Sequence, residues 1–369
     1  MAGNANSSGV YVEELFSLSL SVQSSATAVV AFVGEAEGLP AGVTRVNNWL
    51  DAQSLFPEAD GGGKGATAAW RDALRGYFYN GGGYCYLAST AGTTLDGALK
   101  QLSAAADVTI VVAPGLWDQG AETAGEWARG LTGWAAGHRA MAVLHADRDH
   151  TPDQAGEAVD AWAIDEAQKP YAAVYFPWLR QDGQEEPVPP SALVVGAWAT
   201  VDRERGVWKA PANIPVKGPY KVLYKASDQE QGSFRSLNFL REFTGSGTVV
   251  WGARTLSDSD EWRYIPIRRL FSSVERDLGR ALPFAVFEPN SQPTWEKVRA
   301  AAENYLYSLW QQGALQGGTP EEAYFVQVGK GITMTQDDIA SGRLILKIGL
   351  AAFRPAEFQI LQLTQQLDS

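Results

Sequence analysis

The side chains best suited to chemistry in this sequence are few and scattered. It has three histidines, His138, His145 and His150. His145-Ala-Asp147-Arg-Asp149-His150 offers imidazole and carboxylate groups of the kind that bind divalent ions, but the spacing matches none of the common ligand patterns. The stretch follows an apolar run and precedes a Thr-Pro helix start, so a polar loop accounts for it. Gly61-Gly-Gly-Lys64-Gly65 has the glycines and lysine of a phosphate cradle. A Walker loop needs Ser or Thr directly after the lysine to reach magnesium, and Gly65 stands there. Cys85 lies inside the apolar run Tyr84-Cys-Tyr-Leu87, which suits a buried thiol rather than an exposed thiolate. There is no Gly-x-Ser-x-Gly elbow. Glu13-Glu14 and Asp337-Asp338 are unremarkable among 42 carboxylates, and the second pair, after Thr335, reads as a helix start that favours negative charge. No catalytic residue, metal site or cofactor is expected.

The elements that would have to position such groups alternate along the chain. Apolar runs at Thr27–Val33, Tyr84–Ala88, Val108–Ala113, Ala140–Leu144 and Tyr171–Tyr175 are separated by helical patterns near Ala66–Tyr79, Leu95–Ala106, Ala121–Ala136 and Pro152–Gln168. This predicts an α/β layer, with parallel strands as one option. A Gly/Pro-rich zone over Gln181–Tyr220 breaks regular structure, and a second α/β unit starts near Leu237. Its clearest elements are a helix over Thr294–Gln312 and a strand over Arg343–Leu350, in which Leu344, Leu346, Ile348 and Leu350 alternate with the other face.

Both ends read as extended. Phe16, Leu18, Leu20 and Val22 alternate with serines, and Val10, Tyr11 and Val12 precede them, so Val10–Val22 spans on the order of 40 Å as a strand. No tight hairpin joins it to the next run, which leaves its pairing partner distant in the chain or on another chain. After Pro355, Ala356–Leu363 is a second extended candidate, with Phe358, Ile360, Leu361 and Leu363 as its apolar residues.

Composition narrows the function classes. The 369 residues, 45% hydrophobic with 13 Trp, can bury one elaborated core or two. A net charge of −12 argues against nucleic-acid binding. Residues 1–234 carry 16 basic and 27 acidic side chains, and residues 235–369 carry 14 and 15, so the near-neutral second part is the better candidate for burial among partners. A single cysteine excludes an internal disulfide and fits a reducing compartment. The sequence shows neither a signal-peptide pattern nor a run near the roughly 20 apolar residues of a membrane helix, so direct membrane insertion is not expected.

A series of short motifs then resembles the contractile tail sheath proteins of myophages and related bacterial injection systems. Gly9-Val-Tyr-Val-Glu-Glu14, Tyr77-Phe-Tyr-Asn80-Gly, Tyr175-Phe-Pro-Trp178 and Arg205-Gly206-Val-Trp208 are similar to the family's first part. Val250-Trp251-Gly252-Ala253-Arg254-Thr255-Leu256, Glu261-Trp262-Arg263-Tyr264, Phe287-Glu288-Pro289-Asn290, Trp310 through Gly317 and Met334-Thr-Gln-Asp-Asp338 follow in family order. Departures sit mainly upstream of Val250, where Glu230–Asn238 matches loosely and Gly38–Gly65 is variable ground.

The resemblance implies a two-domain α/β (α+β) sheath subunit, with an N-terminal arm (1–26), an outer domain (27–230), an inner domain (231–353) and a C-terminal arm (354–369). It implies a structural polymer of stacked sixfold rings around an inner tube protein, with baseplate and terminal cap proteins as further partners. Assembly would take place in the cytoplasm of a bacterial cell, with release as part of a particle or virion as one outcome. The arms would be the inter-subunit links, received by the sheet containing Leu344, Leu346, Ile348 and Leu350, the alternative being ordinary edge strands paired within the chain. On the helix Ile265–Leu282, Arg269, Arg276 and Arg280 project roughly opposite the apolar side, and the expectation is a basic stripe facing the inner tube. The alternative is that they are solvated or paired with carboxylates such as Glu275. A cytoplasmic α/β enzyme and a tube or baseplate component are the rival functions.

Overall fold

The structure is a computed structural model and describes residues 22–56, 66–181, 186–352 and 359–366. Its strands are β1 (Val30–Gly34), β2 (Val43–Val46), β3 (Cys85–Ser89), β4 (Ile110–Val112), β5 (Met141–His145), β6 (Ala172–Phe176), β7 (Leu179–Gln181), β8 (Ile214–Pro215), β9 (Tyr220–Val222), β10 (Leu237–Phe243), β11 (Gly247–Val250), β12 (Tyr324–Gln327), β13 (Arg343–Leu350) and β14 (Gln359–Gln366). Its helices are α1 (Trp49–Leu55), α2 (Ala66–Tyr79), α3 (Leu95–Leu102), α4 (Ala121–Gly137), α5 (Pro152–Ala161), α6 (Pro190–Arg205), α7 (Asp228–Ser233), α8 (Ile265–Ala281), α9 (Gln292–Gln311), α10 (Pro320–Ala323) and α11 (Gln336–Ala340).

Nine strands form one sheet in the order β2-β3-β1-β4-β5-β6-β10-β11-β8, parallel from β3 through β10. Parallel strands are covered on both faces, which is why these segments are continuous apolar runs rather than alternating ones. β1 illustrates it: Val30 and Phe32 join the core beneath α2 and α6, while Ala31 and Val33 join the core beneath α3, α4 and α5. The α5 start expected at Thr151-Pro152 is present as a capping box, with Thr151 and Gln154 exchanging hydrogen bonds.

Two sequence expectations are corrected here. The zone read as irregular, Gln181–Tyr220, contains the helix α6, whose residues from Pro190 to Ala199 are all buried. A helix enclosed on all sides has no polar face and so no amphipathic period to read, and Pro190 occupies its first turn, where proline is tolerated. The domain boundary drawn at 230/231 falls short of β10 and β11, which are part of the nine-stranded sheet. The chain stays tied to this layer as far as Leu256, whose amide donates to the Ala172 carbonyl at 2.9 Å.

Beyond that point α8 and α9 pack with a three-stranded antiparallel sheet, β12-β13-β14, around a third core. The expected alternation holds in β13: Leu344, Leu346, Ile348 and Leu350 are buried, while Arg343 is exposed and Ile345 and Lys347 are half-buried. At Gly349 the strands come so close that a Cβ there would collide with the Phe325 ring across the β12–β13 pair.

Candidate functional site

The groups first considered for catalysis do not converge. His138 stacks on Trp134 with ring centroids 4.2 Å apart, and its Nδ1 lies 2.8 Å from the Trp134 carbonyl. His145 is fully buried with Nδ1 2.9 Å from Ser191 Oγ, while His150 meets Trp117 edge-on. Burial lowers the His145 pKa to about 3, so the ring stays neutral. Burial likewise pushes the Cys85 thiol well up, against any thiolate role. No group of three His, Cys, Asp or Glu side chains able to hold a metal occurs among the described residues. Gly61–Gly65 and Glu13-Glu14 lie outside those residues. Asp337-Asp338 opens α11, where Thr335 and Asp338 form a capping box.

A doubly wound sheet binds ligands where its strand order reverses, beyond the carboxyl ends of β1 and β4. Here that crevice is filled. A Cβ on Gly34 would lie 2.8 Å from Trp70 and 3.8 Å from Trp127, and the space left beside them is about 50 Å³. Ligand sites usually span several hundred Å³, several times the space left here.

The polar groups that do converge hold the root of the N-terminal segment. The Asp277 carboxylate, buried within α8, accepts from the Ser25 amide at 3.0 Å, from the Ser25 hydroxyl and from Tyr305 Oη at 2.6 Å. Two residues along the segment, Thr27 Oγ1 donates to Asp202 at 2.5 Å and the Thr27 carbonyl accepts from Arg269 at 2.9 Å. Burial, with the Asp277 charge and hydrogen bond after it, raises the Tyr305 phenol far above its ordinary value. The chain therefore leaves residues 22–29 from a fixed point in the seam between the two layers. Val22, the last of the predicted arm residues, packs partly against the third core, whereas Val10, Tyr11, Val12, Phe16, Leu18 and Leu20 lie outside the described residues.

At the other end β14 pairs antiparallel with β13 over eight residue pairs, including Leu361 with Ile348 and Leu363 with Leu346. Ile360 pairs with Gly349, and Phe358 lies outside the described residues. β13 thus has the buried face read from its alternation, and in the single chain its partner is the chain's own β14.

Of the three arginines expected as a basic stripe on α8, one is buried, one half-buried and one exposed. Arg269 is 4% exposed, lies over the Trp198 ring and grips Asp202. Arg276 and Arg280 reach away from α8 to the Arg139 and Ala106 carbonyls, each at 2.7 Å. The period along α8 reveals one apolar side, but the nine-stranded layer covers the opposite side as well, so residues from Ile265 to Val274 are all buried. Sequence reasoning missed Asp202 and Asp277. Asp277 had a signal, since it falls on the apolar face of α8, three residues after Val274; Asp202 had none.

Comparison with known proteins agrees with this architecture. Residues 257–366 match the family model described as the phage tail sheath C-terminal domain. A prophage major tail sheath protein of Pseudomonas aeruginosa (strain UCBPP-PA14) is 25% identical over 215 residues, and the match spans about half of either protein, 56% of this chain and 53% of that one. The sheath of an extracellular contractile injection system, the PVC sheath complex in its contracted state, is 46% identical over 99% of both chains with a TM-score of 0.78. The contracted helical sheath of the anti-feeding prophage is 40% identical over 98% of this chain and 100% of that one, with a TM-score of 0.75. A chain alike in fold and sequence over nearly its whole length, with its polar groups spent on anchoring its own segments, belongs to the contractile tail sheath proteins of phages and phage-like injection systems, a family of structural subunits and not of enzymes.

Proposed function

We propose that this chain is the repeating unit of a sheath that stacks as sixfold rings around an inner tube, and that shortens and widens to drive the tube through a target envelope. Baseplate and terminal cap proteins would bound the stack, and assembly would take place inside a bacterial cell.

The observation that carries the reading is the β13–β14 pair. Its eight residue pairs are held by main-chain hydrogen bonds, and residues 351–358 alone connect the two strands. The β14 of a neighbouring copy can make the same bonds in the same register, so exchanging the strand links copies at little cost in pairing. The arm root at Ser25 and Thr27 supports a second link, because it fixes where the N-terminal segment leaves the body. Such links tolerate a change of angle between copies, as contraction requires. The solved relatives described above are contracted sheaths, which fits this use.

Negative-stain microscopy of the purified chain, alone and with a tube protein, tests the reading. Hollow ridged cylinders are expected, and they should disappear when residues 1–22 or 356–369 are removed. A chain that stays a monodisperse monomer at every concentration and with every tube protein would overturn it.

A further inference from the structure

A cleft of about 420 Å³ lies between the end of α4, the C-terminal part of α8 and β13, with Trp134, His138 and Leu346 among its walls. Three arginines, Arg139, Arg276 and Arg280, line it against one carboxylate, Glu275, in a chain whose net charge is −12. Arg139 pairs with Glu275 yet keeps 45% of its side chain exposed, and Arg280 is exposed as well. The Arg276 Nε is buried and has no hydrogen-bond partner. Burial, and then the nearby Arg269 and Arg280 against the counter-pull of Asp277, lowers the Arg276 pKa to about 10. These cations are crowded and short of negative charge.

The opposite arrangement occurs on α5. Asp153, Glu157 and Asp160 follow at i, i+4 and i+7, which puts them on one stripe of the helix, and all three are exposed. None forms an ion pair with another described residue. Within one chain the stripe borders a separate hollow, with Lys169 and Arg235 among its walls, and none of the three carboxylates lines the cleft. The end of α5 is held beside Arg129, whose Nη1 donates to the Trp162 carbonyl, and Arg129 and Gly137 are roughly 12 Å apart along α4.

We infer that the cleft is a socket between copies, taking the acidic α5 stripe of another copy of this chain. The two surfaces differ, so the contact is head-to-tail and repeats from copy to copy, the kind of contact that builds rings or helical stacks. The inference rests on the sheath reading above and names one of its interfaces.

Cross-linking tests it directly, because the one native cysteine, Cys85, is buried. An R280C chain mixed with an E157C chain is expected to give disulfide-linked dimers at least about tenfold above either chain alone, as charge steering brings the two faces together. In pelleting assays, R139E/R280E and D153K/E157K should each raise the concentration needed for polymer by about tenfold, and a chain carrying all four changes should return it to the wild-type value. Absence of the mixed cross-link, or unchanged polymerisation of both double variants with unaltered melting, overturns the socket. Cross-linking by a chain that never forms cylinders would sink the sheath reading and leave this contact standing. A cleft variant that polymerises normally but no longer coats a tube protein assigns the cleft to the tube and overturns the proposal.

Discussion

Arg269 on α8 holds Asp202 on α6 through two hydrogen bonds of 2.9 and 2.6 Å, with both side chains almost wholly removed from solvent. The pair closes the seam between the nine-stranded layer and the C-terminal unit, and Thr27 is threaded through it. Removing one member leaves the other charged and buried. D202A is therefore expected to cost about 3–5 kcal/mol of stability, whereas D202L/R269M should cost much less. Urea unfolding of the unassembled chain measures both, and equal losses would contradict the account.

Asp277 ties the Ser25 end of the same root. In D277A, Tyr305 and Ser25 lose their shared acceptor, and a loss of about 1–3 kcal/mol is expected from the unpaired buried groups. Limited proteolysis should then cut near residues 22–29 faster than in the parent chain, while the β13–β14 region keeps its resistance.

His145 makes stability depend on pH with a definite sign. Its folded pKa, about 3, lies below the ordinary 6.5, so as pH falls the unfolded chain takes the proton first. The stability present above pH 6.5 is lost on acidification toward pH 3, at a slope of up to roughly 1.4 kcal/mol per pH unit from this group. H145N should flatten the curve of unfolding free energy against pH in that window.

Gly349 has no room for a side chain beneath Phe325. G349V is expected to destabilise the β12–β13 pairing by about 1–3 kcal/mol through overpacking, and F325A in the same chain should recover part of that loss. Hydrogen exchange of the β12 amides reports both effects locally.

Much of this fold was legible in the sequence because covered parallel strands leave plain apolar runs. The five runs became β1, β3, β4, β5 and β6 with ends displaced by one to three residues, and the bounds of β13 coincide with the expectation. What escaped has a common cause. α6 as far as Ala199 and α8 as far as Val274 are enclosed on all sides, so neither has an exposed face there to betray its neighbours. The same enclosure turned Arg269 from an expected surface charge into half of a buried pair, and no spacing along α8 distinguishes those two fates. Asp277 was the exception, a carboxylate set among Leu270, Val274 and Leu278 where only a buried partner would justify it.

The tryptophans at the switch point of the sheet have a mechanical meaning. Where sister folds keep a hollow that opens and shuts around a ligand, Trp70 and Trp127 leave this one solid. A close-packed body is nearly incompressible, so a push on one edge of the slab reaches the opposite edge as travel instead of being absorbed within it.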